Sequence, residues 1–128
     1  MKTLKVTFAC LFLAAAICPA AEVPSPEHVK WMKDLGAQMG AIRKGADVTK
    51  NATDMGETMK AVAAFWDARH SEAATKASKS VIDGAAAIAK AGDDKEAVMV
   101  GMKMMGGGCK GCHDLHREKI SDTESKIK

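Results

Sequence analysis

The sequence of 128 residues predicts an all-α protein that contains four helices. Two observations support this prediction. After Ala21 the chain is rich in Ala, Lys, Met and Glu, which favour helices, and no proline follows Pro26. Apolar residues also recur at helical spacing in four segments, and residues that are common at helix ends separate these segments.

The first helix is predicted to begin at Ser25, whose hydroxyl can cap it, and to end at Gly45. Pro26 suits the first turn because its missing N–H would have no partner within the helix there. Glu27 suits the first turn because the helix dipole attracts negative charge at this end. The apolar stripe of this helix consists of Val29, Met32, Leu35, Met39 and Ile42.

The second and third helices are separated by a turn that we predict near Ser71. The second helix is expected to start at Asn51, and the third to end at Gly92. The stripe of the second helix contains Met55, Met59, Val62 and either Phe65 or Trp66, and that of the third contains Ala74, Ala77, Val81, Ala85 and Ile88.

The fourth helix is predicted to open with Asp93, followed by Glu96 at the spacing of a capping box, and to extend to about Ile120. The polar tail from Ser121 is expected to fray. Three glycines at 106–108 each weaken the helix by up to about 1 kcal/mol. They either leave room for a flat group against the backbone or mark a local break, and the sequence leaves both interpretations open.

The first 21 residues have the three parts of a secretory signal peptide. Residues 1–5 carry positive charge, residues 6–17 are apolar, and small residues follow at 20–21. The apolar run is shorter than the ~20 residues that a membrane span needs, which favours a cleaved signal over an anchor. We therefore predict a signal peptide over 1–21, a mature domain over 22–128 and a periplasmic location.

Charge and hydropathy exclude two classes of partner. Lys and Arg number 19 against 16 Asp and Glu, and two of the lysines, Lys2 and Lys5, lie in the leader. The mature chain is therefore nearly neutral and has no basic block, so we expect no nucleic-acid binding. No later segment is apolar enough to cross a bilayer, so we expect no stable membrane insertion.

The run Cys109-Lys110-Gly111-Cys112-His113 matches the Cys-x-x-Cys-His signature for covalent attachment of haem c. The two thiols are spaced to add to the two vinyl groups of the porphyrin, and the adjacent imidazole can bind its iron. No other cysteine follows the leader, so no free thiol would remain outside the cytoplasm. We predict one covalent haem bound by Cys109, Cys112 and His113, with His113 as the proximal iron ligand.

Three other interpretations of these cysteines remain open. A dithiol redox pair would need a strand–turn–helix context, whereas the surrounding sequence is helical. A zinc site could use Cys109, Cys112, His113 and His116, although these ligands would be crowded. A structural disulfide is the third interpretation.

Four helices with this motif near the carboxyl terminus resemble the class II c-type cytochromes, the cytochrome c′ family. The most similar block runs from Cys109 to Arg117, and a basic residue four positions after the histidine is typical of the family. Residues 89–93 are similar to the turn before the family's last helix. The resemblance covers nearly all of the mature chain and implies an up-and-down antiparallel four-helix bundle with covalently bound haem.

The resemblance also implies the sixth iron ligand. In this family a side chain of the first helix faces the iron, and it is apolar in the branch that is open to gases but Met in the low-spin branch. Residues 29–36 are similar to the low-spin branch and imply Met32 as the ligand, a soft thioether that favours ferrous iron. The alternative is that Met32 fills the core, with Met39, Met55 and Met59 as rival ligands.

A His/Met-ligated haem in this family implies a periplasmic electron carrier that works with redox partner proteins and is not an enzyme. The alternative is a five-coordinate cytochrome c′-type protein that binds nitric oxide or carbon monoxide. The family also implies a homodimer through the early helices. One departure is His28, where the family often has an arginine near a haem propionate; we expect His28, His70 and His116 to be solvated.

Overall fold

The computed structural model describes residues 20–128, which form four helices and one short hairpin. The elements are α1 (Pro26–Arg43), α2 (Val48–Asp67), α3 (Glu72–Ala91), α4 (Lys95–His116), β1 (Arg117–Lys119) and β2 (Ser125–Ile127). The helices make up 73% of the described residues and pack against one another, which confirms the predicted all-α class. Except for Ala20 and Ala21, the predicted signal peptide lies outside the described residues. Within residues 20–128, no helix is both long and apolar enough to cross a membrane.

Side-chain caps set the starts of the first and third helices. Ser25 Oγ accepts a hydrogen bond from the backbone N–H of His28 at 3.1 Å, and Ser71 Oγ accepts one from that of Ala74 at 3.3 Å. Gly92 follows α3 with a φ of 57°, a conformation that glycine adopts without steric cost. The predicted start at Ser25, the turn near Ser71 and the stop at Gly92 are therefore confirmed.

Two predicted helix starts were wrong. The second helix begins at Val48 rather than Asn51, because Asp47 adopts a left-handed conformation that turns the chain directly into the helix. The fourth helix is capped by Asp94 rather than Asp93, since the Asp94 carboxylate accepts two amide protons of the first turn, at 3.0 and 3.1 Å.

Consecutive helices pack against each other, and most residues of their apolar stripes lie in or against the core. One exception is Val29 of the first stripe, which is 37% exposed. Trp66, at 5% exposure, is the buried aromatic residue of the second stripe, whereas Phe65 is only half-buried. The buried apolar side chains of the helices are Leu35, Ile42, Ala52, Met55, Met59, Val62, Trp66, Ala74, Val81, Ala85, Ile88 and Met105. Removal of this apolar surface from water is the main force that holds the bundle together.

Glycines bring α3 and α4 into close backbone contact. A Cβ on Gly101 would lie 2.8 Å from the carbonyl oxygen of Gly84, and one on Gly108 would lie 2.6 Å from that of Ala77. These two contacts show that the helices run antiparallel. The fourth helix continues through residues 106–108 without interruption, so the interpretation of this run as a local break was wrong. Gly108 allows the approach of α3 instead.

The carboxyl-terminal tail is folded, so the expectation that it frays from Ser121 was wrong. The fourth helix ends at His116 rather than near Ile120, and the hairpin follows. Ile127 exchanges two backbone hydrogen bonds with Glu22, at 2.6 and 2.8 Å, and its side chain is only 8% exposed. These contacts join opposite ends of the described chain, so the local polarity of the tail does not indicate them.

Candidate functional site

A cavity of about 550 Å³ lies between α1 and α4. The first helix packs on α2 and the fourth on α3, whereas the backbones of α1 and α4, which are both fully described, have almost no direct contact. Side chains from all four helices and from the hairpin line the cavity, and most of them are apolar. The volume falls within the range of about 300–1,000 Å³ that is usual for ligand and cofactor pockets.

Cys109, Cys112 and His113 line this cavity from α4. Residues three and four positions apart share one face of a helix, so Cys109 lies on the same face as the other two. All three side chains are half-buried, and both cysteines are free thiols. The structure therefore brings the predicted attachment residues together on one wall of one cavity.

Burial raises the pKa of both thiols. The pKa of Cys112 rises to about 11, mainly through burial and secondarily through the neighbouring Cys109. Burial also raises the pKa of Cys109. Both groups are therefore protonated near neutral pH, whereas a dithiol redox pair has a lowered pKa at a helix amino terminus. These cysteines lie in the last turns of α4, so the redox-pair interpretation gains no support.

The zinc interpretation needed His116, which is engaged elsewhere. The His116 ring lies 4.3 Å from the ring of Trp66, its Nε2 is 2.9 Å from Ser71 Oγ, and its Nδ1 is 3.3 Å from the carbonyl oxygen of Lys128. Over residues 20–128, no group of three or more His, Cys, Asp or Glu side chains is arranged to hold a metal ion. The expectation that His116 is solvated was therefore wrong, because both of its ring nitrogens have partners.

The imidazole of His113 is neutral at neutral pH. Burial lowers the pKa of His113 below its ordinary value of 6.5, and the positive charge of Arg117 lowers it further. A neutral imidazole has a free lone pair and is the form of histidine that binds metal ions. His113 is therefore in the protonation state that the predicted proximal ligand requires.

Met32 lines the cavity from α1. Its rivals Met39, Met55 and Met59 also line the cavity, which therefore contains four thioethers. Met55 and Met59 are 1% and 5% exposed and belong to the core, whereas Met32 and Met39 are half-buried. Met32 and Met39 therefore present more side-chain surface than Met55 and Met59 do.

His28 also lines the cavity, and the expectation that it is solvated was wrong. Its side chain is 7% exposed and lies among three aromatic rings, with centroid distances of 5.9 Å to Trp31, 4.7 Å to Phe65 and 6.4 Å to Trp66. Burial lowers the pKa of His28 below 6.5, and the charge of Arg69 lowers it further. His28 is therefore a neutral imidazole inside the protein.

The charged side chains that border the cavity are all cationic. Lys33, Arg43, Arg117 and Lys126 line it, and no Asp or Glu is among the described residues that do so. An apolar cavity with cationic borders suits a large apolar molecule that carries carboxylates. A porphyrin with two propionates has this character, so the residues present fit a haem.

Sequence reasoning missed the contribution of the chain termini to this site. Thr123, Ser125, Lys126 and Ile127 line the cavity from the hairpin, and Pro24 lines it from the amino-terminal segment. The one available signal was Ile127, an apolar residue at the end of a polar tail. The segment before α1 and the hairpin, which pair through Glu22 and Ile127, thus both contribute to the lining of the cavity.

No protein-family model, no curated protein and no solved structure matches this chain. The functional assignment therefore depends on the residues of the cavity and on their chemistry.

Proposed function

We propose that this chain is a periplasmic monohaem c-type cytochrome of the cytochrome c′ type, an electron carrier with a His/Met-ligated haem iron in an up-and-down antiparallel four-helix bundle. One observation carries the proposal. Cys109, Cys112 and His113 of α4 and Met32 of α1 line the same largely apolar cavity. The cationic border of this cavity supports the proposal, because it matches the two propionates of a haem.

Cys109 and Cys112 would hold the haem. Each thiol would form a thioether with one vinyl group of the haem, with the sulfur on the carbon next to the ring and the thiol hydrogen on the terminal carbon. The addition needs no oxidant, because it involves no net gain or loss of electrons. Because the two cysteines are one turn apart on α4, both thioethers form on the helix face that borders the cavity.

His113 and Met32 would hold the iron from α4 and α1. A bound haem supplies the redox chemistry, since its iron cycles between the ferrous and ferric states. The neutral imidazole of His113 donates a lone pair, and the Met32 thioether is a soft neutral donor that favours ferrous iron. The first helix packs on α2 and the fourth on α3, so each proposed ligand lies on a helix that a neighbouring helix supports.

Other parts of the proposal follow from this role. An electron carrier needs redox partner proteins and no substrate site, so no enzymatic activity is proposed. The predicted signal peptide would direct the chain to the periplasm. A homodimer through α1 and α2 is part of the same proposal.

Expression of the full chain with the haem-attachment machinery of a bacterial host tests this function. We expect the purified protein to carry the mass of one covalent haem and to show a low-spin ferrous spectrum that carbon monoxide does not change. The Cys109→Ala/Cys112→Ala double variant is the control and should lose its haem on denaturation. A wild-type protein with bare peptide mass and no visible absorption would contradict the proposal.

One observation favours gas binding as a second candidate function. Gly36 lines the cavity one turn after Met32, and a Cβ at this position would meet nothing within 4 Å. Because Gly36 has no side chain, a diatomic gas would meet no steric barrier at this position of the cavity lining. A high-spin ferrous spectrum that shifts with carbon monoxide in the wild-type protein would support this function in place of the carrier.

A further inference from the structure

His28 is a buried polar side chain without a polar partner. Its Nδ1 is buried and has no hydrogen-bond partner, and only its backbone N–H is bonded, to Ser25. A buried polar group without a partner costs about 1–3 kcal/mol, so its presence calls for an explanation. The rings of Trp31, Phe65 and Trp66 hold the imidazole in this position.

The position of His28 relative to Met32 indicates what the imidazole can reach. The two residues are four positions apart on α1, which places them on one helix face about 6 Å apart along the axis. Both line the cavity that His113 lines from α4.

Imidazole nitrogen is a stronger donor to haem iron than a thioether and is one of the common axial ligands. An arginine at this position could only pair with an anion, because a guanidinium is always charged and has no lone pair to offer. The neutral imidazole of His28 has one. Its side chain is only 7% exposed and therefore has little contact with bulk solvent.

We propose that His28 is a reserve sixth ligand, which binds the haem iron from α1 when Met32 is removed or displaced. The inference rests on the proposed function, since it needs the haem held by Cys109, Cys112 and His113. In the exchange, the iron–sulfur bond to Met32 breaks and a bond from an imidazole nitrogen forms. No electron or proton is transferred, because both ligands are neutral donors of a lone pair.

The test uses the haem-loaded Met32→Ala variant. We expect it to lose the charge-transfer band of thioether-ligated ferric iron yet to stay low-spin, with an electron paramagnetic resonance spectrum typical of two imidazole ligands. Its ferrous form should not bind carbon monoxide readily. A high-spin Met32→Ala protein that binds carbon monoxide would overturn the inference and leave the haem and Met32 assignments intact.

Double variants identify the ligand. Met32→Ala/His28→Phe should become high-spin and bind carbon monoxide, and added free imidazole should restore its low-spin spectrum, which shows that the site is folded. The matched control is Met32→Ala/His70→Asn, which removes an exposed histidine and keeps a residue that tolerates its positive φ of 55°. This control should behave like Met32→Ala. A low-spin spectrum that survives the loss of His28 would overturn the inference, whereas a wild-type protein without haem would contradict the proposed function itself.

Discussion

The neutral imidazole of His28 couples the stability of the fold to pH. Burial, assisted by the charge of Arg69, keeps the pKa of His28 in the folded protein below 6.5. The unfolded chain regains the ordinary histidine pKa and therefore binds a proton at a higher pH than the folded protein does. Protonation favours unfolding, and stability is lost as the pH falls through about 6.5 and below.

We therefore expect the free energy of unfolding of the haem-loaded protein to decrease between about pH 7 and about pH 5, and His28→Phe to remove part of this decrease. Denaturant unfolding of both proteins at the two pH values measures this decrease in the free energy of unfolding. His70→Asn is the control, because His70 is exposed and should leave the decrease unchanged. An equal decrease in His28→Phe and in the wild type would contradict the prediction.

Gly108 determines how closely α3 and α4 approach. A Cβ at this position would lie 2.6 Å from the carbonyl oxygen of Ala77 and 2.7 Å from Cγ2 of Val81, so the helices would have to separate. We expect Gly108→Ala to lower the free energy of unfolding by about 1–3 kcal/mol, the usual cost of overpacking. Thermal and denaturant unfolding of the haem-loaded protein measure this change.

Gly107 is the matched control for Gly108. It is the preceding residue of the same helix, but a Cβ there would meet nothing within 4 Å. Gly107→Ala should raise stability by up to about 1 kcal/mol, because alanine favours helix more than glycine does. If Gly108→Ala and Gly107→Ala changed the free energy of unfolding in the same direction, the contact with α3 would not explain the effect of Gly108→Ala.

The hairpin of β1 and β2 is the element that joins the two ends of the described chain. Ile127 is 8% exposed, and its backbone pairs with Glu22. Arg69 extends this connection to the end of α2, since its guanidinium lies 3.0 and 3.2 Å from the two carboxylate oxygens of Glu22. That ion pair is partly exposed, so the apolar contact of Ile127 is the stronger of the two attachments.

We expect Ile127→Ala to loosen the hairpin at a cost of about 2 kcal/mol, near the lower limit for buried isoleucine. The amide protons of Glu22 and Ile127, which bond across the pair, should then exchange faster with solvent while those of the helices keep their protection. Ile120→Ala is the control, because Ile120 is 47% exposed in the same hairpin. Unchanged exchange at Glu22 would contradict this role of Ile127.

At the scale of the whole molecule, a cavity takes the place of direct packing between α1 and α4. Side chains of α1 and α4 face each other across about 550 Å³ instead of packing together. A cavity of this kind removes dispersion contacts from the residues around it. A bound porphyrin would supply the missing apolar surface and would join α4 to α1 through the iron.

We expect the haem-free protein, produced as Cys109→Ala/Cys112→Ala without haem, to be less stable than the haem-loaded wild type by at least about 3 kcal/mol. This difference is comparable to the loss of stability caused by a large cavity that truncation of a single side chain creates. Circular dichroism during thermal and denaturant unfolding measures the difference. Equal stability of the two forms would show that the fold does not need a bound molecule in the cavity.

Local features of the fold were predictable from the sequence. The cap at Ser25, the turn near Ser71, the stop at Gly92 and the apolar stripes depend on residues within one or two helical turns of each other. Their spacing along the chain is therefore sufficient to predict them. The placement of Cys109, Cys112 and His113 on one face also follows from helical spacing alone. The neighbouring positions Asp93 and Asp94 could not be distinguished, because both have the side chain that a cap needs.

The sequence by itself determined the four helices, their buried faces and the grouping of the Cys-x-x-Cys-His residues, because all of these depend on the period of the helix. Only the tertiary structure decided that His28 lies inside, that Gly108 contacts α3, that Ile127 meets Glu22 and that α1 stands apart from α4. Each of these depends on contacts between residues that are distant in the sequence, which local spacing does not encode.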